Sequence, residues 1–215
     1  MKPSLTIALP KGRLFRASVD LLTKVACGVE ALGEGRRLIF VDPVRHTHFL
    51  ILRPVDIPTY VEYGAADVGI VGKDVLEEWD RDVYEPLDLN FGRCRLVVAQ
   101  PHNLPKERSL PDWSYIRVAT KFPRITERYF STKGVPVEII RLSGSIELAP
   151  LVGLCERIVD LVDTGRTLAE NGLEEVDEIM QVTARLIVNR ASHKTKYERV
   201  TDLVGRLKQA IEHHP

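Results

Sequence analysis

The sequence is poor in the features that mark several common classes of protein. Its 215 residues include only three cysteines, Cys27, Cys94 and Cys155, and none of them stands in a C-x-x-C pair. This spacing leaves neither a disulfide framework nor a zinc site, and we expect a reducing, cytoplasmic compartment. No window approaches the roughly 20 apolar residues of a membrane helix, and the N-terminus lacks the apolar core of a signal peptide.

Charge of one sign is not in excess either. The 30 Lys and Arg residues balance 30 Asp and Glu residues, so the formal net charge is zero with neutral histidines. A protein that binds duplex DNA or an anionic membrane carries a basic excess, so we expect no nucleic acid and no membrane as partner. The balance leaves room for a local basic pocket that takes a small phosphorylated ligand. Hydrophobic residues at 44% and charged residues at 28% are typical of a globular chain.

Extended and helical patterns alternate along the whole chain. Strands are predicted at Ser4–Leu9, Arg37–Val41, Phe49–Leu52, Asp67–Val71, Arg95–Ala99, Ile116–Ala119, Val137–Leu142, Ile158–Val162 and Met180–Val188. Helices are predicted at Leu14–Val25, from Asp56 to Gly64, after Gly72, at Pro123–Lys133 and from Thr195 to His213. The alternation predicts an α/β fold with mostly parallel sheets. By composition, the best candidate for a boundary between two lobes is the proline-rich, charged stretch Gln100–Asp112.

The segment from Asp160 to Leu168 carries the strongest chemical signal. A buried strand delivers Asp160, and the turn Asp163-Thr164-Gly165-Arg166-Thr167 then opens a helix. Main-chain N–H groups and two hydroxyls in such a turn point toward one place at a helix N-terminus, which suits a phosphate monoester. The alternative is an ordinary strand–turn–helix junction in which Thr164 only caps the helix.

This segment, together with Glu147 and Gly153 upstream, resembles the signature of the ATP phosphoribosyltransferase family. One departure is Cys155, which stands where the family pattern has Ser, Ala or Gly. Further segments are similar to other blocks of the family, in the expected order: Ala8–Leu14, Arg53–Val61, Gly64–Asp74, Val118–Pro123 and Leu142–Glu147. The resemblance covers essentially the whole chain.

The resemblance implies a fold and a reaction. The fold is α/β, with two lobes like those of a type II periplasmic binding protein and the ligand cleft between them. Residues 1–92 plus 183–215 form lobe I, and residues 93–182 form lobe II, which carries the phosphoribosyl-diphosphate loop. The reaction converts ATP and 5-phosphoribosyl 1-diphosphate to N1-(5-phospho-β-D-ribosyl)-ATP and diphosphate, the first step of histidine biosynthesis. Mg²⁺ is expected on the substrate, and no metal site is expected on the protein alone.

The same resemblance assigns the site residues. Arg53 and Arg36 are implied to be catalytic, because positive charge stabilises the departing diphosphate. The phosphoribosyl donor is expected to bind Asp160, Asp163, Thr164, Gly165, Arg166 and Thr167. ATP is expected to bind Lys11, Gly12, Arg13, Asp67, Gly69, Ser143, Gly144, Ser145 and Glu147.

Taken by themselves, these residues leave alternatives open. Lys11 and its neighbours could form a solvated turn, and Arg53 could be an ion-pair partner of Asp56. Asp67 and Gly69 could be ordinary strand-end residues. Strand alternation cannot decide whether Arg36 or Arg37 faces inward, and only the resemblance favours Arg36.

The resemblance also implies a partner. Short-form members of the family assemble with a regulatory subunit similar to histidyl-tRNA synthetase, in a hetero-octamer, and this sequence ends directly after its terminal helix. Tyr197, Val200, Val204, Leu207 and Ile211 form one apolar stripe on that helix, which could contact the partner or pack on its own lobe. Two other functions stay open: a non-enzymatic two-lobed binder of phosphosugars or nucleotides, and a phosphoribosyltransferase acting on a free base.

Overall fold

The chain divides into two compact units. The computed structural model describes residues 4–29, 32, 37–103 and 115–212. One unit comprises Met1–Gly92 and Thr183–Pro215, and the other comprises Arg93–Val182. The boundary that composition favoured, at Gln100–Asp112, is wrong, because the units divide between Gly92 and Arg93 and between Val182 and Thr183. Proline and charge disfavour regular structure, but they do not by themselves end a folding unit.

The first unit is built around one mixed sheet. Its strands are β1 (Leu5–Pro10), β2 (Ile39–Asp42), β3 (Thr47–Leu52), β4 (Val68–Gly72), β5 (Tyr84–Asp88) and, numbered along the chain, β11 (Ala184–Val188). Its helices are α1 (Phe15–Lys24), α2 (Ile57–Glu62), α3 (Lys73–Trp79), α7 (Arg190–Thr195) and α8 (Tyr197–Glu212), with a 3₁₀ turn at Pro54–Asp56. The strand order is β2-β3-β1-β4-β11-β5, and β1 pairs in parallel with both β3 and β4.

Helices cover both faces of this sheet, which explains why β1 is apolar on both sides. Ile7 and Leu9 face the core that α1 and α8 also fill, whereas Ala8 faces the core built with α2. Of the predicted stripe on α8, Val200 and Leu207 are buried in the first of these cores, and Val204 and Ile211 pack against it, while Tyr197 is 57% exposed. The stripe therefore packs on its own unit.

The second unit has a five-stranded mixed sheet. Its strands are β6 (Cys94–Pro101), β7 (Ile116–Thr120), β8 (Val137–Arg141), β9 (Arg157–Val162) and β10 (Leu173–Val182). Its helices are α4 (Pro123–Thr132), α5 (Leu148–Leu151) and α6 (Arg166–Glu170). The order is β10-β6-β9-β7-β8, in which β7 runs parallel to β8 and β9, and β6 runs antiparallel to β9 and β10.

Several sequence-based expectations about these elements are wrong. The sheets are not mostly parallel, because β2, β5, β6, β10 and β11 pair antiparallel with their neighbours. The extended stretch Met180–Val188 belongs to two strands of different sheets, β10 and β11. Asp56 stands at the N-cap position of α2 but makes no side-chain cap hydrogen bond. Among the described residues, no helix is long and apolar enough to cross a membrane.

Candidate functional site

The first unit gathers basic residues at the carboxyl ends of its parallel strands. Pro10 of β1 lies opposite Leu52 of β3, and the Lys11 amide donates to the Leu52 carbonyl at 2.7 Å. The segments that follow the two strands, Lys11–Arg13 and Arg53, therefore start side by side at one edge of the sheet. This edge is a favoured ligand position in open α/β sheets.

The cations at this edge are exposed and differ in their pairing. The side chains of Lys11 and Arg53 have no hydrogen-bond or ion-pair partner among the described residues. Arg53 contacts Asp56 only through the main chain, where the Asp56 amide donates to the Arg53 carbonyl at 3.0 Å. The Arg13 guanidinium donates to the Gly92 carbonyl at 3.2 Å. Two exposed cations without carboxylate partners can bind the phosphates of a substrate.

A buried carboxylate lies near the same edge. Asp74, in the first turn of α3, is 8% exposed, and burial raises the pKa of its carboxyl group. The positive charge of Arg13 acts in the opposite direction and lowers that pKa. Arg13 therefore has a nearby carboxylate as well as the Gly92 carbonyl to hold it, whereas Arg53 is free to turn toward a ligand.

Asp67 does not lie with these cations. It precedes β4, at the edge of the sheet opposite Lys11, and only 3% of it is exposed. Its Oδ1 accepts a hydrogen bond from Ser192 Oγ at 2.6 Å, and its Oδ2 accepts from the Thr6 amide and from Lys196 Nζ, both at 2.7 Å. Both carboxylate oxygens are occupied by structural partners, so we revise the expectation that Asp67 binds ATP.

Gly69 also has a structural reason to be glycine. A Cβ atom at this position would lie 2.6 Å from Cγ2 of Ile57 and 2.9 Å from Cγ2 of Val61. The absence of a side chain lets α2 pack directly on β4, and Gly69 is buried in the sheet. For both residues the alternative of an ordinary strand residue fits the structure, and we leave them out of the site. Arg36 lies outside the described residues, and Arg37 is exposed before β2.

In the second unit, Lys121 follows β7, Asp160 lies in the neighbouring strand β9, and Glu147 precedes α5 close to them. Lys121 Nζ lies 3.4 Å from each carboxylate oxygen of Asp160. Burial raises the pKa of Asp160, while Lys121 and a hydrogen bond from the Leu161 amide at 2.8 Å lower it. The negative charge of Glu147 raises it further, so Glu147 is close enough to act on Asp160. The family resemblance includes the segment Val118–Pro123, but the sequence indicates no role for Lys121 itself.

The turn Ser143-Gly144-Ser145 follows β8 at the same edge. All three residues are exposed, and Ser145 adopts a φ of +49°. Its carbonyl accepts a hydrogen bond from the Leu148 amide at 3.2 Å, and the fully buried Ile146 anchors the turn in the core. Two hydroxyls are thereby presented to solvent next to Glu147.

The loop from Asp163 to Thr167 follows β9. Gly165 has a φ of +77°, which favours glycine, and it occupies the N-cap position of α6. Thr164 does not cap the helix, since its hydroxyl is 3.5 Å from the Arg166 amide and accepts at best a long hydrogen bond. The amides of Gly165 and Thr167 have no acceptor among the described residues. Exposed hydroxyls and unpaired N–H groups are what a phosphate ligand requires.

An ion pair that no sequence pattern indicates lies next to Gly165 of this loop. The guanidinium of Arg95 on β6 donates to Glu175 of β10 at 2.6 and 2.9 Å. Glu175 Oε1 lies 3.4 Å from the place where Gly165 would carry a Cβ atom. The partners are 80 residues apart and meet only because β6 and β10 pair in the sheet.

The described part of the chain holds no group of three or more His, Cys, Asp or Glu side chains that could bind a metal ion. The carboxylates of Asp160 and Glu147 stand near each other without a third. Such a pair fits a divalent cation that keeps most of its ligands from water and substrate oxygens. Cys27, Cys94 and Cys155 are all buried free thiols.

Comparison with solved structures supports the fold. The chain is similar to the ATP phosphoribosyl transferase (HisG:HisZ) complex from Thermotoga maritima, with 38% identity, a TM-score of 0.82, and coverage of 97% of this chain and 99% of that chain. The periplasmic aliphatic sulphonate binding protein SsuA from Escherichia coli matches with a TM-score of 0.61 at 13% identity, over 98% of this chain and 73% of that chain. This second match concerns the fold alone and confirms the expected periplasmic-binding-protein class.

Comparison of sequences identifies the family. Residues 53–209 match the family described as HisG, ATP phosphoribosyltransferase. The ATP phosphoribosyltransferase of Syntrophotalea carbinolica is 56% identical over 212 residues, which span 98% of this chain and 97% of the relative. That of Halalkalibacterium halodurans is 50% identical over 209 residues, 97% of both chains. The chain therefore belongs to the ATP phosphoribosyltransferase family.

Proposed function

We propose that this chain transfers the phosphoribosyl group of 5-phosphoribosyl 1-diphosphate to N1 of the adenine ring of ATP. As a member of this family, the chain is a pentosyltransferase, and its reaction is the first step of histidine biosynthesis. The observation that carries the assignment of the site is the loop from Asp163 to Thr167. It presents a glycine with positive φ, two exposed hydroxyls and unpaired amides to solvent.

The donor binds to the second unit. The amides of Gly165 and Thr167 and the hydroxyls of Thr164 and Thr167 hold its 5-phosphate, with Asp163 and Arg166 flanking them. Asp160 and Glu147 are acceptors for the ribose hydroxyls, and Lys121 keeps the Asp160 carboxylate in place. Ser143, Gly144 and Ser145 face the ribose or the adenine side.

The phosphates bind to the cations of the first unit. Lys11 and Arg13, with the exposed Gly12 between them, contact substrate phosphates, and Arg53 and Arg36 bind the diphosphate as it leaves. The lone pair of adenine N1 forms the new bond to the anomeric carbon, and the bond from that carbon to the diphosphate oxygen breaks with its electron pair on oxygen. Adenine N1 is unprotonated at neutral pH, so the attack needs no strong general base. The barrier lies in the departure of the diphosphate, and fixed cations lower it.

The reaction uses a divalent cation, which we assign as Mg²⁺. Asp160 and Glu147 would hold it through water molecules while it is bound to the substrate diphosphate. When bound, the ion neutralises part of the charge on the leaving group. The protein residues hold the donor and supply the positive charge of Arg53 for the leaving diphosphate.

We also propose a partner and a compartment. The similar Thermotoga maritima protein forms a HisG:HisZ complex. By analogy, this chain assembles with a regulatory subunit similar to histidyl-tRNA synthetase into a hetero-octamer, in the cytoplasm. Its three buried free thiols fit a reducing compartment.

An absorbance assay tests the reaction. The protein is incubated with ATP, 5-phosphoribosyl 1-diphosphate, Mg²⁺ and a diphosphatase, with and without the regulatory subunit, and the ultraviolet absorbance of the N1-substituted product is followed. We expect a signal that needs both substrates. The absence of a signal even with the partner present would contradict the enzymatic function and favour a non-enzymatic, two-lobed binder of phosphosugars or nucleotides. Product formation with adenine, guanine or uracil in place of ATP would indicate a different phosphoribosyltransferase.

A further inference from the structure

A carboxylate lies next to the glycine of the loop from Asp163 to Thr167. Oε1 of Glu175, on β10, lies 3.4 Å from the position that a Cβ atom of residue 165 would take. A carbon–carbon single bond is about 1.5 Å long, so this oxygen is at most about 5 Å from Gly165 Cα. Because like charges repel, an uncompensated carboxylate at this distance would oppose the binding of a phosphate by the same loop.

Arg95 compensates the charge of Glu175. Its Nη1 donates to Oε2 of Glu175 at 2.6 Å, and its Nη2 donates to Oε1 at 2.9 Å, so the guanidinium occupies both carboxylate oxygens. These hydrogen bonds raise the pKa of Arg95, which therefore stays charged at every physiological pH. Glu178 also lies 3.6 Å from Arg95, and Glu175 has no second cation as a partner among the described residues. The charge balance beside Gly165 thus depends on Arg95.

The strand register brings both ends of this ion pair to the loop. Arg95 lies opposite Val162, the last residue of β9, and the loop begins at the next residue. Glu175 lies opposite Ala99, further along β6. The Arg95 side chain therefore starts beside the residue that precedes the loop and reaches the carboxylate beside the loop's glycine.

We propose that Arg95 is a positioning residue for the phosphoribosyl donor and that it acts through Glu175. Arg95 fixes this carboxylate beside Gly165 and neutralises its charge, so that the amides and hydroxyls of the loop can bind the 5-phosphate. The proposal rests on the proposed function, in which this loop binds the donor. It adds that the affinity for the donor depends on a guanidinium group that acts without contacting the substrate.

This role has a specific kinetic consequence. The 5-phosphate keeps its charge throughout the reaction, because the bond that breaks joins the anomeric carbon to the diphosphate. Repulsion from an uncompensated Glu175 would therefore act equally on the bound donor and on the transition state. A change of this kind raises the KM for the donor and leaves kcat unchanged. An ion pair that only joined β6 to β10 would instead affect stability and leave the KM for the donor unchanged.

Calorimetric titration of 5-phosphoribosyl 1-diphosphate, with Mg²⁺ present, tests the proposal in a single and a double variant. Arg95→Met removes the cation and keeps an apolar stem, and we expect it to weaken donor binding about five-fold or more at low ionic strength. The loss should shrink in high salt, which screens the repulsion. Adding Glu175→Gln to Arg95→Met removes the carboxylate charge and should restore most of the lost affinity. Steady-state kinetics of Arg95→Met should show a raised KM for the donor, with kcat and the KM for ATP as in the wild type.

The ion pair of Arg117 with Glu156 supplies a matched control in the same unit. Its N–O distance is also 2.6 Å and its arginine side chain is similarly exposed, at 40% against 36%, but it lies where β7 and β9 begin and not at the loop. Arg117→Met should therefore bind the donor with the wild-type affinity. Equal donor affinity in the wild type and Arg95→Met would overturn the proposal, and so would a loss that Glu175→Gln does not restore or that Arg117→Met shares. Failure of the wild-type chain to bind the donor would overturn the proposed function together with this proposal, whereas the other outcomes leave the loop as the donor site.

Discussion

Lys121 directly follows β7 and faces Asp160 of the neighbouring parallel strand β9, with Lys121 Nζ 3.4 Å from both carboxylate oxygens. The Asp160 side chain is only 10% exposed, whereas the Lys121 side chain is 40% exposed. The lysine does not compensate fully for burial, because the pKa of Asp160 remains raised. A buried carboxylate kept at this cost, close to the loop Asp163–Thr167 that we propose for the donor, is typical of a functional site.

Replacing Asp160 by Asn should stabilise the protein at neutral pH and impair catalysis. The raised pKa means that the folded chain binds this proton more tightly than the unfolded chain, whose value is near 3.8. Below that pH the carboxyl group is protonated in both the folded and the unfolded chain, so its ionisation does not lower the free energy of unfolding. As the pH rises through the folded pKa, the cost of a buried carboxylate appears in full and persists at neutral pH. Thermal unfolding of both proteins at pH 7 and near pH 3.5 measures the difference.

The expected pattern is a higher melting temperature for Asp160→Asn at pH 7 and a smaller difference at pH 3.5. Asp20→Asn is the matched control, since Asp20 is exposed on α1 and far in sequence from the loop Asp163–Thr167. It should change neither stability nor activity. If Asp160→Asn is less stable than wild type at pH 7, the ion pair with Lys121 outweighs burial and our account of this carboxylate is incorrect.

Replacing Arg53 by Ala should lower kcat while changing ATP affinity much less. The proposed charge on the diphosphate grows as its bond to the ribose breaks, so Arg53 acts mainly in the transition state. Loss of one such preorganised donor costs about 10²–10³ in rate. Steady-state kinetics and equilibrium binding of ATP separate the two effects. Arg16→Ala, at an exposed position of α1, is the control, and an unchanged kcat in Arg53→Ala would remove Arg53 from the mechanism.

Replacing Thr164 or Thr167 by Ala should weaken binding of 5-phosphoribosyl 1-diphosphate and leave the fold intact. Each change removes a hydrogen bond to a charged phosphate, worth roughly 1.5–3 kcal/mol, or about 10-fold or more in affinity. Both hydroxyls are exposed, and neither caps α6, so stability should not fall. Calorimetric titration of the donor checks the result. Thr132→Ala, at the end of α4, removes a comparable exposed hydroxyl and should bind the donor normally.

The family and the strand–turn–helix around Gly165 could be predicted from the sequence because their evidence is local. The strand, the turn and the helix around Gly165 follow one another directly, and the structure contains all three with the glycine in the left-handed region. The same holds for Lys11–Arg13 after β1. Short polar segments between apolar ones are sufficient for such assignments.

What could not be predicted depends on contacts between distant segments. β5 and most of β10 alternate charged and apolar residues without an apolar run, and they are strands because β11 and β6 pair with them. For the same reason, the ion pair of Arg95 with Glu175 next to Gly165 could not be predicted, because its partners are 80 residues apart. Asp67 looked like a site residue until Ser192 and Lys196, about 125 residues away, proved to hold its carboxylate.

For Gly69, a role in packing and a role in binding ATP lead to different outcomes when alanine replaces the glycine. A Cβ atom at residue 69 would lie within 3 Å of Ile57 and Val61, so Gly69→Ala must push α2 away from β4. Overpacking of this kind costs about 1–3 kcal/mol of unfolding free energy. Denaturant unfolding should show this loss, while the folded fraction binds ATP with the wild-type affinity.

Gly205→Ala is the matched control, because a Cβ atom at residue 205 has free space around it. Gly205 lies in α8, and nothing lies within 4 Å of a Cβ atom placed there. Alanine stabilises a helix relative to glycine by roughly 0.5–1 kcal/mol, so Gly205→Ala should raise the unfolding free energy. The two variants thus change stability in opposite directions through one identical chemical change. Weaker ATP binding in Gly69→Ala without a loss of stability would return Gly69 to the nucleotide site and contradict its assignment to the packing of α2 on β4.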